Sequence, residues 1–147
     1  MDTQTMQRVR THGAALNRHA FELADQFLDG VFAACPGLRD RFHGDHQSQR
    51  RAVAHRWAWM VKNLGHMEQL SPDFEAMGQF LASRGVSPSD VAMARTAFLE
   101  ATREVAGTNW DAQTEADWAE TFDACVHGMH LPVARIGGAP FQYARAA

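Results

Sequence analysis

Cysteine is scarce: Cys35 and Cys125 are the only two among 147 residues. Two thiols so far apart in sequence supply neither a disulfide framework nor a cysteine-based zinc site, which points to reduced thiols and a cytoplasmic protein. An excess of positive charge is also missing. With 14 basic against 17 acidic residues the formal charge is −3, so no bulk positive field gathers nucleic acid or anionic lipid, and neither partner is expected. No apolar run approaches the roughly 20 residues that span a bilayer, so no membrane association is expected. The opening MDTQTMQRVRTHG is polar and carries arginines without an apolar stretch, so no signal peptide is expected there. A glycine-rich phosphate loop, a nucleophile elbow and an HExxH pair are all lacking. No catalytic residue is therefore assigned, and a non-enzyme is the expectation.

Alternating strand patterns, fixed-period repeats and interior linkers are absent as well. What is present is a 46% hydrophobic content spread over 147 residues, enough for one globular domain with its own core. The apolar residues recur at three and four, the helical period. Leu23, Phe27, Leu28, Val31 and Phe32 make one stripe, which Pro36 and Gly37 end. Val53, Trp57, Met60, Val61 and Leu64 make a second, with Gly65 expected as a left-handed cap. Ser71-Pro72 and Ser87-Pro88 each read as an N-cap hydroxyl followed by a proline in the first turn. The first leads into Phe74, Met77, Phe80 and Leu81 and ends at Gly85; the second carries Val91, Phe98, Leu99, Thr102 and Val105 and ends at Gly107. A last helix from about Asp111 shows Trp118, Phe122, Cys125, Val126 and Met129 on one face. The fold class is therefore all-α, with six to eight helices around one core. Periodicity alone leaves a helical bundle and a globin both open.

The segment FLDGVFAACPGLRDRFHGD, residues 27–45, resembles the second helix, short third helix and following corner of bacterial globins, above all the haem domain of flavohaemoglobins. The resemblance continues through QRRAVAHRWAWMVKNL, the RGVSPSDV turn and ADWAETFDACVHGM. It implies a globin fold over residues 1–134 as a single globin-like domain, with 135–147 as a flexible C-terminal tail. No reductase sequence follows, so a single-domain member is implied.

The family's cofactor is haem, whose iron a proximal imidazole holds while the opposite face receives a diatomic gas. On the register set by Gly85-Val86-Ser87-Pro88, the proximal position here is Leu81, and no histidine lies between His66 and His127. The tyrosine and glutamate that support the imidazole in flavohaemoglobins correspond to Val91 and Ala134. On the distal side the gas-binding tyrosine corresponds to Leu28 and the glutamine to Gln49, with Phe42 as the haem-facing wall. Val53 then faces the ligand space, and Trp57, one turn on, is placed to fill volume that a macrocycle would take.

The resemblance thus implies a divergent globin without conventionally ligated haem, acting as a small-ligand sensor or interaction module for an apolar or diatomic ligand. Non-haem globin domains of bacterial stress-sensing proteins are its precedent. Two alternatives stay open: a haem globin binding O₂ or NO through an atypical axial ligand, for which Met77 is the nearest candidate, and, ranked last, a nitric oxide dioxygenase or peroxidase. The pairs His43/His46 and His127/His130 have ligand-like spacing without a clear third ligand, and His55 reads as surface. The region of Trp110 and Trp118 is where a homodimer would form.

Overall fold

The helix starts are set by short-range hydrogen bonds that the sequence spells out. In the computed structural model, which describes residues 1–133, Asp2 caps α1 (Thr3–Leu16), its carboxylate accepting from the Thr5 N–H at 2.7 Å. Asp45 does the same for α3 (His46–Lys62) through Ser48 at 2.8 Å, and Asp111 for α6 (Ala112–Gly128) through Thr114 at 2.7 Å. Ser87 opens α5 (Pro88–Ala106) with a reciprocal box: the Asp90 N–H donates to its hydroxyl at 3.1 Å while its own N–H donates to the Asp90 carboxylate at 2.8 Å. Two further helices, α2 (Ala20–Ala34) and α4 (Ser71–Ser83), complete six α-helices, and no strand occurs among the described residues. Single 3₁₀ segments at Asn17–His19, Pro36–Arg41, Leu64–His66 and Gly107–Asn109 join them.

Two of the expected helix ends differ. Ser71 is the first residue of α4 rather than its cap; the cap position is Leu70, whose near-helical backbone (φ −100°, ψ 13°) leaves no extended residue to turn a hydroxyl back onto the free N–H groups. Gly65 does not end α3. The helix stops at Lys62, because the Asn63 side chain donates to the Trp59 carbonyl at 2.8 Å and satisfies it, and Gly65 falls inside the following 3₁₀ segment. Gly85 and Gly107 do terminate α4 and α5 with positive φ, 75° and 59°. Helix α1 carries no strong apolar stripe and is an addition to the sequence reading; its buried residues are Thr5, Val9, Gly13 and Leu16.

Helix α2 packs on α5 and α3, and its approach to α5 is close at Gly30, where a Cβ would sit 3.1 Å from the Ala97 methyl. Helix α1 packs on α6 and α3, and α4 rests on the end of α6. The centre is aromatic. Trp118, 0% exposed, stacks on Trp57 with ring centroids 4.6 Å apart, and Phe98 lies against both at 6.1 and 5.9 Å. Val9, Leu16, Leu23 and Leu64 close this cluster. Burying such side chains contributes about 1.5–3 kcal/mol each, which makes this the region that holds the domain together. The proposed tail 135–147, and Ala134, lie outside the described residues.

Candidate functional site

The seven side chains singled out from the sequence come from α2, the corner after residues 36–41, α3 and α4. Leu28 of α2, Phe42 of the corner and Val53 of α3 meet in one apolar cluster with Val31, Phe32, Leu38 and Ala97. Leu81 of α4 belongs to another, with Val91, Val126 and Leu131, and Val86 touches both clusters. Trp57 lies away from them, 4% exposed in the aromatic centre. Its turn-by-turn position on α3 aligns it with Val53, but its indole is claimed by Trp118 and Phe98. Its N–H is buried without an acceptor.

Gln49 sits half-buried in the first turn of α3, and its amide donates back to the Gly44 carbonyl at 3.3 Å. Met77 is half-buried on α4, one turn before Leu81.

Sequence reasoning missed the surface residues beside Phe42. Phe80 was expected in the α4 core stripe, yet it is 49% exposed and makes an edge contact with Phe42, centroids 6.2 Å apart. The Arg84 guanidinium lies 5.2 Å from its ring centre, which lets an aromatic ring stand at the surface under a charged cover. Arg84 four residues after Phe80 was the available signal. Arg41 donates to the Gly85 carbonyl at 2.8 Å, tying the corner to the end of α4. Next to it, burial raises the Asp90 carboxyl, but hydrogen bonding with Ser87 and the Cys35 thiol, together with the charge of Arg41, holds it below the usual carboxylate range. Burial, then the Asp90 carboxylate, pushes the Cys35 thiol up. Burial alone pushes Cys125 up to about 12. Neither thiol is an activated nucleophile.

A cavity of about 230 Å³ opens on the other face of α4, lined by Glu75, Gly78, Gln79, Met129, Leu131 and Pro132. It is smaller than the roughly 300–1,000 Å³ of ordinary ligand pockets. Its floor is tight because α4 meets the chain after α6 backbone to backbone: a Cβ on Gly78 would collide with the Met129 carbonyl oxygen.

Among the described residues no group of three or more His, Cys, Asp or Glu is placed to hold a metal. His46 pairs with Asp25 at 3.0 Å and His130 with Glu75 at 3.3 Å. His55 is exposed. Trp118 is wholly inside the chain and Trp110 is half-buried. The dimer expected through this region is therefore unsupported, because Trp118 presents no face to a second copy.

Six packed helices with a short 3₁₀ segment after α2 and a corner phenylalanine define an all-α domain of the globin type. The Globin family model matches residues 25–129, and the chain belongs to that family. No curated protein is similar enough to the chain to count as a match. No helix among the described residues is long and apolar enough to cross a membrane.

Globins commonly bind haem, whose iron proteins hold through histidine, cysteine, methionine or tyrosine. Of these, α4 carries only the Met77 thioether; its other residues are Ser, Pro, Asp, Phe, Glu, Ala, Gly, Gln and Leu. Helix α4 therefore offers no histidine to a haem iron.

Proposed function

We propose that this globin works without conventionally ligated haem, as a small-ligand sensor or interaction module. The observation that carries this reading is Leu81: on the flavohaemoglobin-like register it stands at the proximal position, and it packs against the apolar cluster of Val91, Val126 and Leu131. An isobutyl group there gains burial that an imidazole would forfeit, at about 1.5–3 kcal/mol for a fully buried side chain and less for one half-buried like this. The ligand is a small apolar or diatomic molecule received near Leu28, Phe42 and Val53. Residues 1–134 act as the single domain and the location is the cytoplasm.

The test is hemin titration of the purified protein, read by absorption across the Soret and visible bands, beside the same titration of Leu81→His. Weak, non-stoichiometric uptake by the wild type and a sharp stoichiometric band in Leu81→His are expected. A sharp band in the wild type overturns the reading. Its loss in Met77→Leu would then assign the thioether as the ligand instead.

A further inference from the structure

Helix α1 is fastened to α6 by three polar contacts, of which one depends on the state of an imidazole. The Arg8 guanidinium grips the Asp117 carboxylate with two hydrogen bonds of 2.6 and 2.8 Å, and the N-terminal ammonium lies 3.2 Å from Glu120. The third is His12. Its ring sits between two indoles, 6.2 Å from Trp110 and 6.0 Å from Trp118. The Trp118 N–H, a donor only, points at Nδ1 at 2.9 Å. The other nitrogen, Nε2, lies 3.2 Å from the Asn109 carbonyl oxygen, an acceptor only. Both bonds exist together in one form alone, the neutral imidazole with its proton on Nε2.

We propose that His12 is an acid-sensitive clasp between α1 and α6. A proton taken from solvent onto Nδ1 turns the acceptor into a second donor and ends the bond to Trp118. The loss falls on an indole with no alternative. Trp118 is fully buried, and Trp57 and Trp110, which pack in the same cluster, already hold N–H groups without acceptors. One residue on, Gly13 lies against Val61 of α3 and the Trp118 ring, where a Cβ would sit 2.8 and 3.3 Å from them. A shift of the imidazole is therefore passed to the tightest part of the α1 packing.

The charged surroundings set the direction. At the N-cap of α6, Asp111 interacts electrostatically with His12, and hydrogen bonds from Thr114 hold its carboxyl below the usual range, so it is an anion that an imidazolium would be drawn to. Asp117, also on α6, is occupied by Arg8. On α1 itself Arg8 stands one turn away and Arg10 is exposed. Helix α3 meets this part of α1 through the uncharged Val61. Of the 3₁₀ segments against α1, Leu64–His66 offers the exposed His66, and Asn17–His19 offers exposed Arg18 and half-exposed His19, whose ring pairs with Glu22.

The measurement is NMR of the full chain from about pH 8 to about pH 5, the range in which imidazole titrates, reading the indole N–H signals and α1 amide exchange. The Trp118 signal, assigned with Trp118→Phe, should move with one proton, and α1 protection factors should fall about 3- to 10-fold, as expected for one lost hydrogen bond. In His12→Gln, which offers an acceptor and a donor but does not titrate, both should stay flat. A pH-independent Trp118 signal in the wild type, or the same transition in His12→Gln, overturns the clasp. Should that variant fail to fold, the wild-type imidazole nitrogens decide directly: an Nδ1–H tautomer at pH 8 overturns it and an Nε2–H tautomer upholds it.

Discussion

Where α1, α3, α5 and α6 meet, Trp57, Trp118, Phe98 and Phe122 fill the interior, and Arg8–Asp117 and Arg95–Asp123 bind the helices outside it. Between α3 and α4 the materials are different. There the rings of Trp59 and Phe74, 5.3 Å apart, bridge the two helices, Phe42 of the preceding corner meets Phe80, and Phe80 stands half in solvent. The first region is stabilised by large buried surfaces. Of the four rings in the second only Phe74 is buried; Trp59 and Phe42 are half-buried and Phe80 is exposed, so less apolar surface is removed from water there. The contrast teaches that the globin fold here leans more on its aromatic centre than on what lies between α3 and α4.

The largest effect that would break this comparison is Trp118→Ala. Removing a fully buried indole should lower unfolding free energy by about 3–5 kcal/mol, measured by urea denaturation. A loss as small as that of a surface change would mean that the aromatic centre is not the stabilising region. Gly78→Ala comes next. It forces the α4 backbone off the Met129 carbonyl and should cost about 1–3 kcal/mol, while leaving the fluorescence of the Trp57–Trp118 pair unchanged. A spectrum altered as strongly as that of Trp118→Ala would show the two regions to be one cooperative unit.

The smallest effect concerns acid. The Arg8 hydrogen bonds hold the Asp117 carboxyl below the usual carboxylate range against burial. A carboxyl lowered in the fold stabilises fully above its unfolded value, about 3.9, and loses that contribution as pH falls through the lower folded value. The gap in urea midpoint between wild type and Asp117→Asn should therefore be constant near neutrality and shrink below about pH 4. A gap that does not change with pH would assign Asp117 a packing role only.

Much of the fold was legible because helix signals are local. Ser87 and Asp111 announce α5 and α6 within three residues of the N–H groups they cap, and the Leu28–Val31–Phe32 stripe faces inward as its spacing requires. Ser71 misled because a cap also needs an extended residue, which Leu70 is not. The candidate site was less legible. Gln49 bonds to Gly44, five residues away and outside its helix, and Phe80 leaves its expected stripe for Phe42.

By itself the sequence determined an all-α chain, the starts of α5 and α6, most of its apolar faces and the absence of an imidazole from the helix 71–83. Only the tertiary structure decided that Trp57 stacks on Trp118, that His12 joins α1 to α6, and that Leu81 packs apart from Leu28, Phe42 and Val53. Capping bonds close over three or four residues and are set by residue type. The rotation of a helix about its axis is fixed by ridges meeting grooves of partners far along the chain.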